Sequence, residues 1–174
     1  MRTNSVVPSG VERFFGADEI IVSKTDLKGI ITYANPVFLR VAGYREEDIL
    51  GKPHNLIRHP DMPRCVFKLL WDTIAAGQEI FAYVKNMAAN GDHYWVHAHV
   101  TPTFGPDGKI TGYHSNRRVP SREAVGKAEE LYRILRAEEI RAAGERAGMA
   151  ASLAKMTQIL AAANVDYDRF VWSL

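Results

Sequence analysis

Three strand-like runs rich in β-branched and aromatic residues, Glu79–Met87, His93–Thr103 and Lys109–Arg117, follow one another with only short interruptions. The first break is Asn90-Gly91-Asp92 and the second is Gly105-Pro106-Asp107-Gly108. Turns this short join only antiparallel neighbours, and Asn-Gly is among the strongest hairpin signals, so the three runs predict one antiparallel meander. Two shorter runs lie upstream, Glu19–Ser23 and Ile30–Tyr33, bridged by Thr25-Asp26-Leu27-Lys28-Gly29, and they predict a further hairpin. Between the two groups the period changes from two to about 3.6. Asn35-Pro36 opens a short helix through Phe38, Leu39 and Val41 to Gly43, because Asn caps well and Pro suits the first helical position. Glu46–Leu50 predicts a second helix ending at Gly51. After the polar segment Pro53–Pro63, Val66, Phe67, Leu70, Trp71 and Ile74 keep helical spacing as far as Gly77. Two strands, several helices and three strands make an α+β sheet with its helices mainly over one face.

From Ser121 onward Ala, Glu, Arg and Leu dominate. Val125, Ala128, Tyr132 and Leu135 form one helical stripe and Met149, Leu153, Met156 and Leu160 another, with Gly144 and Gly148 between them. Two helices or one interrupted helix both satisfy that pattern, and so do burial on the chain's own sheet and packing against a second copy. The tail Asn164–Leu174 carries Tyr167, Phe170, Val171 and Trp172, too much apolar surface for a free polar end. The organisation expected is an N-terminal cap over 1–18, an α+β domain over 19–120 and a C-terminal helical segment over 121–174.

With 47% hydrophobic and 24% charged residues, the 174-residue chain has the balance of a globular protein large enough to enclose a cofactor. A net charge of +2 gives no reason to expect nucleic acid. The single cysteine, Cys65, cannot close an internal disulfide and fits a reducing cytoplasm. Met1–Gly10 lacks an apolar signal core and no stretch reaches the ~18 apolar residues of a membrane span, so direct membrane insertion is not expected. The sequence holds no Gly-x-Ser-x-Gly, no phosphate-cradling Gly-x-x-x-x-Gly-Lys-Ser/Thr and no His-Glu-x-x-His, which points away from the enzymes those motifs mark.

Thr25 to Arg118 resembles a PAS domain, and within that family the aerotaxis-receptor branch. The likeness is carried by Pro53-His-Asn-Leu-Ile-Arg-His-Pro-Asp-Met-Pro63, Ala34-Asn35, Gly43-Tyr44, Val84-Lys-Asn86 and Asn90-Gly-Asp-His-Tyr-Trp-Val96. The resemblance implies a five-stranded antiparallel sheet with flanking helices around a pocket, FAD held there without a covalent link, and redox or oxygen sensing in energy taxis. Its flavin-associated positions fall on Asn35, His54, Arg58, His59, Asp61, Phe67, Trp71 and Asn86. A dinucleotide needs cations for its pyrophosphate, amides for the ring edge and an apolar slot for the ring. Arg58, His54 and His59 suit the phosphates, Asn35 and Asn86 the ring edge, and Phe67 with Trp71 the slot. Against this, Asn35 and Asp61 read first as helix caps, and Phe67 with Trp71 serve equally as plain core. At Ile80 the branch has a tryptophan that contributes to flavin binding, and an isoleucine forgoes its stacking and its indole hydrogen bond.

Haem is the rival cofactor, since His93, His97 and His99 alternate on one strand and one proximal histidine suffices. The same alternation on an outward face is ordinary polar exposure, which is the preferred reading. A cofactor-free docking module is the third possibility. Cys65 lies between Arg64 and Val66, outside the Asn-Cys-Arg-Phe context of light-sensing flavin PAS domains. The branch's membrane anchor and signalling domain have no counterpart in these residues. The expected output is therefore contact, as a homodimer and with a chemotaxis receptor or signalling kinase.

Overall fold

The computed structural model describes residues 6–174. Strands β1 (Ile21–Thr25) and β2 (Ile31–Ala34) are followed by helices α1 (Pro36–Ala42) and α2 (Glu46–Ile49), a 3₁₀ turn (His54–Ile57) and α3 (Arg64–Ala75). Strands β3 (Ile80–Met87), β4 (His93–Phe104) and β5 (Ile110–Arg118) complete one antiparallel sheet of order β2-β1-β5-β4-β3. Because β2 and β3 occupy opposite edges, the chain between them has to cross one face of the sheet. The helices of that crossing cover the face and enclose the space beneath them. The PAS-type α+β architecture expected from the sequence is present. Of the N-terminal cap expected over 1–18, the first five residues lie outside the described ones; the remainder pairs with the β3–β4 hairpin through Ser9, Val11 and Arg13.

Register decides which side chains reach that space. Pairing of Ile80 with Val100, Ala82 with Ala98, Val84 with Val96 and Asn86 with Tyr94 puts these residues on the helix-covered face. Phe81, Tyr83, His97 and His99 alternate to the other face. Asn35 caps α1 as expected: its Oδ1 accepts from the Phe38 and Val22 amides, and its Nδ2 donates to the Ile20 carbonyl at 2.8 Å.

The start of α3 differs from expectation. Asp61 does not cap it; Pro63 occupies the cap position without a side-chain hydrogen bond, and Asp61 instead meets Lys85 Nζ at 2.7 Å. The cap comes from far along the chain, where Glu139 Oε1 accepts from the amides of Arg64 (2.6 Å) and Cys65 (3.3 Å) and from Ser152 Oγ (2.9 Å). Its Oε2 takes Arg136 Nη1 at 2.7 Å.

The C-terminal segment forms α4 (Arg122–Arg141), α5 (Glu145–Ala163) and α6 (Tyr167–Ser173). Two helices rather than one follow from the break at Gly144, whose φ of +97° no helix accommodates. Gly148 lets α5 approach α4, since a Cβ there would lie 2.6 Å from the Glu139 carbonyl oxygen. Val125, Ala128, Tyr132 and Leu135 are all buried, and the Tyr132 hydroxyl donates to the Tyr83 carbonyl at 2.5 Å. In α6, Val171 is buried and Trp172 meets Phe81 with ring centroids 4.8 Å apart. The Val125–Leu135 stripe is buried in the molecule's own core, because the outer face of β3 and β4 is apolar enough to need covering.

Glu139→Ala should lower the unfolding free energy by roughly 2–3 kcal/mol, since hydrogen bonds to a charged acceptor contribute ~1.5–3 kcal/mol each in mutational series and their neighbours relax in part. Glu139→Gln keeps one acceptor oxygen and should lose less. Urea denaturation of both variants measures this, and an alanine variant as stable as the native chain would refute the capping role.

Candidate cofactor site

A cavity of about 730 Å³ lies between the helix-covered face of the sheet and the helices of the crossing. The sheet supplies Ser23, Thr25, Val84, Asn86, Ala98, Val100, Tyr113, Ser115 and Arg117; the opposite wall is His54, Ile57, Arg58, Phe67, Leu70, Trp71 and Ile74. Helix α5 contributes Glu145 and Met149. At the partly open side stand Lys28, Arg64 and Lys68, and the Trp71 ring, 38% exposed, closes over Gly29. A Cβ at Gly29 would come within 2.9 Å of that ring, and the φ of +76° there also favours glycine.

Five of the eight residues expected at the site line this cavity: His54, Arg58, Phe67, Trp71 and Asn86. The Arg58 guanidinium lies 4.1 Å from the Phe67 ring centroid, and Trp71 meets Tyr113 edge-on at 5.5 Å. Three residues are elsewhere. Asn35 is consumed by its cap and its ties to Val22 of β1 and to Ile20 just before that strand. His59 is 3% exposed on the far side of the 58–62 segment, its Nδ1 accepting from the Asp61 amide. Burial and then the Lys85 charge push its pKa down to about 4, leaving it neutral and unsuited to phosphate. Asp61 joins Lys85 at a second cavity of about 690 Å³ against α4. Ile80 stands behind the lining, packed with Leu70, Ile74, Val100 and Tyr113, so the departure from the family's tryptophan falls in the supporting layer.

Residues that the sequence reading passed over complete the deep end. Arg117, 3% exposed, donates through Nη2 to Ser23 Oγ (2.7 Å) and His54 Nε2 (2.8 Å), with its guanidinium 5.4 Å from the Phe38 ring centroid. An arginine only donates, so His54 Nε2 must accept and its proton sits on Nδ1. Burial, then the Arg117 charge, push the His54 pKa down to about 3. Asn86 Nδ2, Ser115 Oγ and Arg117 Nη1 are buried without partners among the described residues. Three unpaired polar groups on one wall are costly unless a ligand or water meets them. Position in β5 could have flagged Arg117 and Ser115, since their parity matches Tyr113 on the covered face.

The donor set fits a flavin: unpaired donors for the ring edge, an apolar slab for the ring, and Arg58, Arg64, Lys68 and Lys28 for phosphates at the open side. It fits haem less well. His93, His97 and His99 project from the outer face, where His97 stacks on Tyr83 at 4.7 Å and His99 on Phe81 at 4.2 Å, and the cavity's His54 already spends Nε2 on Arg117. Cys65 is buried outside the cavity lining.

Residues 31–117 match the family model described as PAS fold. The chain is 43% identical over 120 residues to the aerotaxis receptor of Escherichia coli (strain K12), which takes in 69% of this chain and 24% of the receptor. It is 31% identical over 99 residues to the nitrogen fixation regulatory protein of Klebsiella pneumoniae, covering 57% of this chain and 20% of that protein. The matched segments are thus only a quarter and a fifth of these relatives' lengths. The dark structure of the blue-light photoreceptor Aureochrome1 LOV shares the fold, with a TM-score of 0.57 and 24% identity over 66% of this chain and 85% of that one.

The buried His54 gives a pH signature. Its folded pKa of about 3 lies below the ordinary ~6.5 of an unfolded histidine, so the unfolded chain binds the extra proton and stability falls as pH drops below ~6.5. Between pH 7 and 5 this one group should remove ~2 kcal/mol of stability. Urea titrations of the native chain and His54→Gln at both pH values test it; equal acid sensitivity in the two would refute the buried neutral state.

Proposed function

Because this chain belongs to the PAS family, we propose that it is a cytoplasmic redox or oxygen sensor of the energy-taxis kind, holding FAD non-covalently and signalling by contact rather than by catalysis. The observation that carries this reading is the wall of unpaired donors, Asn86, Ser115 and Arg117, facing an apolar slab with cations at its open side. FAD supplies reversible electron uptake when bound. Phe67, Leu70 and Trp71 would flank the ring, Asn86 and Ser115 would donate to its carbonyl edge, and Arg58 with Arg64 would meet the phosphates. The likeness to an aerotaxis receptor and to a nitrogen fixation regulatory protein supports a sensory role. No described helix is long and apolar enough to cross a membrane.

Two routes lead from the cavity to the C-terminal helices. Asn86 faces the cavity while its neighbour Lys85 faces α4, with Nζ 3.8 Å from Glu129. Helix α3 lines the cavity and begins in the grip of Glu139. A change in hydrogen bonding at the ring edge would therefore reach α4 on either path, and the output contact is made by the C-terminal helices with a chemotaxis receptor or signalling kinase. Ile140 and Trp172, 73% and 62% exposed, are the large apolar residues those helices leave most exposed.

Protein purified with added FAD should be yellow, with bands near ~370 and ~450 nm, whereas a single intense band near ~400–420 nm would mean haem. A colourless protein would refute the flavin reading. Anaerobic reduction of the flavin-loaded chain should alter amide hydrogen exchange near Asn86 and within Ser121–Ala163. Unchanged protection in both regions would refute the relay.

A further inference from the structure

Arg117 is the most deeply placed cation of the cavity, and its surroundings do not balance its charge. Its contacts are a serine hydroxyl, a neutral imidazole and the Phe38 ring face. No carboxylate of the described residues forms an ion pair with it, and burial pushes its pKa down to about 10, with the Tyr94 hydroxyl the one group opposing that. Buried charges in proteins are otherwise paired, because an isolated one forgoes its hydration with nothing in return. His54 cannot share the load, since its nitrogen accepts from the guanidinium. The neighbouring cations Arg58 and Arg64 differ in kind: Arg64 has Glu145 at 2.7 Å, and Arg58 lies on Phe67 nearer the opening.

We propose that Arg117 is the charge-selecting residue of the cavity, which recognises a negatively charged, acceptor-rich edge of a planar ligand and so favours the reduced over the oxidised form of a flavin. This deepens the FAD reading above and rests on it. In the oxidised ring the N1 and C2 carbonyl edge is neutral and merely accepts. Uptake of two electrons from a low-potential donor, with one proton added at N5, leaves a negative charge shared between N1 and the C2 oxygen. A guanidinium fixed beside that edge, in a site of low polarity, stabilises the charged form far more than the neutral one. Ser115 and Asn86, two neighbours on the same wall, have unpaired groups for the remaining ring-edge atoms. Ring inward and phosphates outward is then the only orientation that uses both the deep cation and the cationic opening.

The test is a potentiometric titration of the flavin-loaded full chain, with affinity for oxidised FAD measured in parallel. Arg117→Gln removes the charge but retains a polar side chain. It should weaken the preference for reduced cofactor at least tenfold, a midpoint fall of ~30 mV or more for a two-electron couple. Arg117→Lys keeps a cation and should restore most of the difference. Should Arg117→Gln fail to fold, Ser23→Asp does the same work differently: it leaves Arg117 in place and sets a carboxylate where the 2.7 Å hydrogen bond now lies, so the midpoint should again fall. An unchanged midpoint in these variants, or equal weakening of oxidised and reduced FAD, would overturn the proposal, the latter because it would place the phosphates at Arg117. If the native chain binds no flavin, the FAD reading itself falls, an outcome visible before any variant is made.

Discussion

A carboxylate can be buried only where donors replace its water, and Glu139 finds four of them on three helices. Two are the first amides of α3, which no residue of the local sequence caps; one is Ser152 on α5; the last is Arg136 on its own helix. The positive end of the α3 dipole adds to the attraction. The consequence is geometric. Helix α3 provides Phe67, Leu70, Trp71 and Ile74 to the cavity, and its first turn is positioned by a residue more than seventy positions away. The width of the cavity and the seat of the C-terminal hairpin are set by the same group, and Gly148 is what allows the two helices of that hairpin to come close enough to share it.

This also explains which features could be read in advance. Turns and helix ends are local events, so Asn90-Gly91, Gly105–Gly108 and the Asn35-Pro36 cap all predicted element boundaries within a residue or two of those observed. The cap of α3 was misplaced at Asp61 because the sequence nearby offers no better candidate, and long-range capping leaves no mark in local spacing. The helical stripe Val125 to Leu135 had the right period but no direction: amphipathicity shows that a face will be covered, while what covers it depends on the apolar outer face of β3 and β4. The His97 and His99 alternation was read correctly as facing away from the pocket, since antiparallel parity fixes sides once Val96, Ala98 and Val100 are taken as core.

The cavity itself divides along the same line. Phe67, Trp71, Arg58, His54 and Asn86 sit in segments whose residue types announce them. Arg117 and Ser115 lie in an unremarkable run of β5, where an arginine reads as solvent-facing until the register puts it beside Ala98. Histidine was the converse case. His54 and His59 look like cations for phosphate, yet both are pushed well below neutrality by burial and a neighbouring cation, and His54 becomes an acceptor that helps orient Arg117. Residue type indicated where the site is, and desolvation decided what each group does there.

Strand β3 brings these two constraints together. Its side chains are buried on both faces: Val84 and Asn86 look into the cavity, and Tyr83 and Lys85 look toward α4. The Asn86 position is further pinned by a backbone bridge to Arg58, and the Lys85 amide donates to the Met62 sulfur, so the segment carrying the cationic opening is tied to the same strand. Helix α4 receives Lys85 two turns in through Glu129 and holds α3 near its end through Glu139. Both cavity walls are thus tied to α4, one through Lys85 of β3 and the other through the first turn of α3.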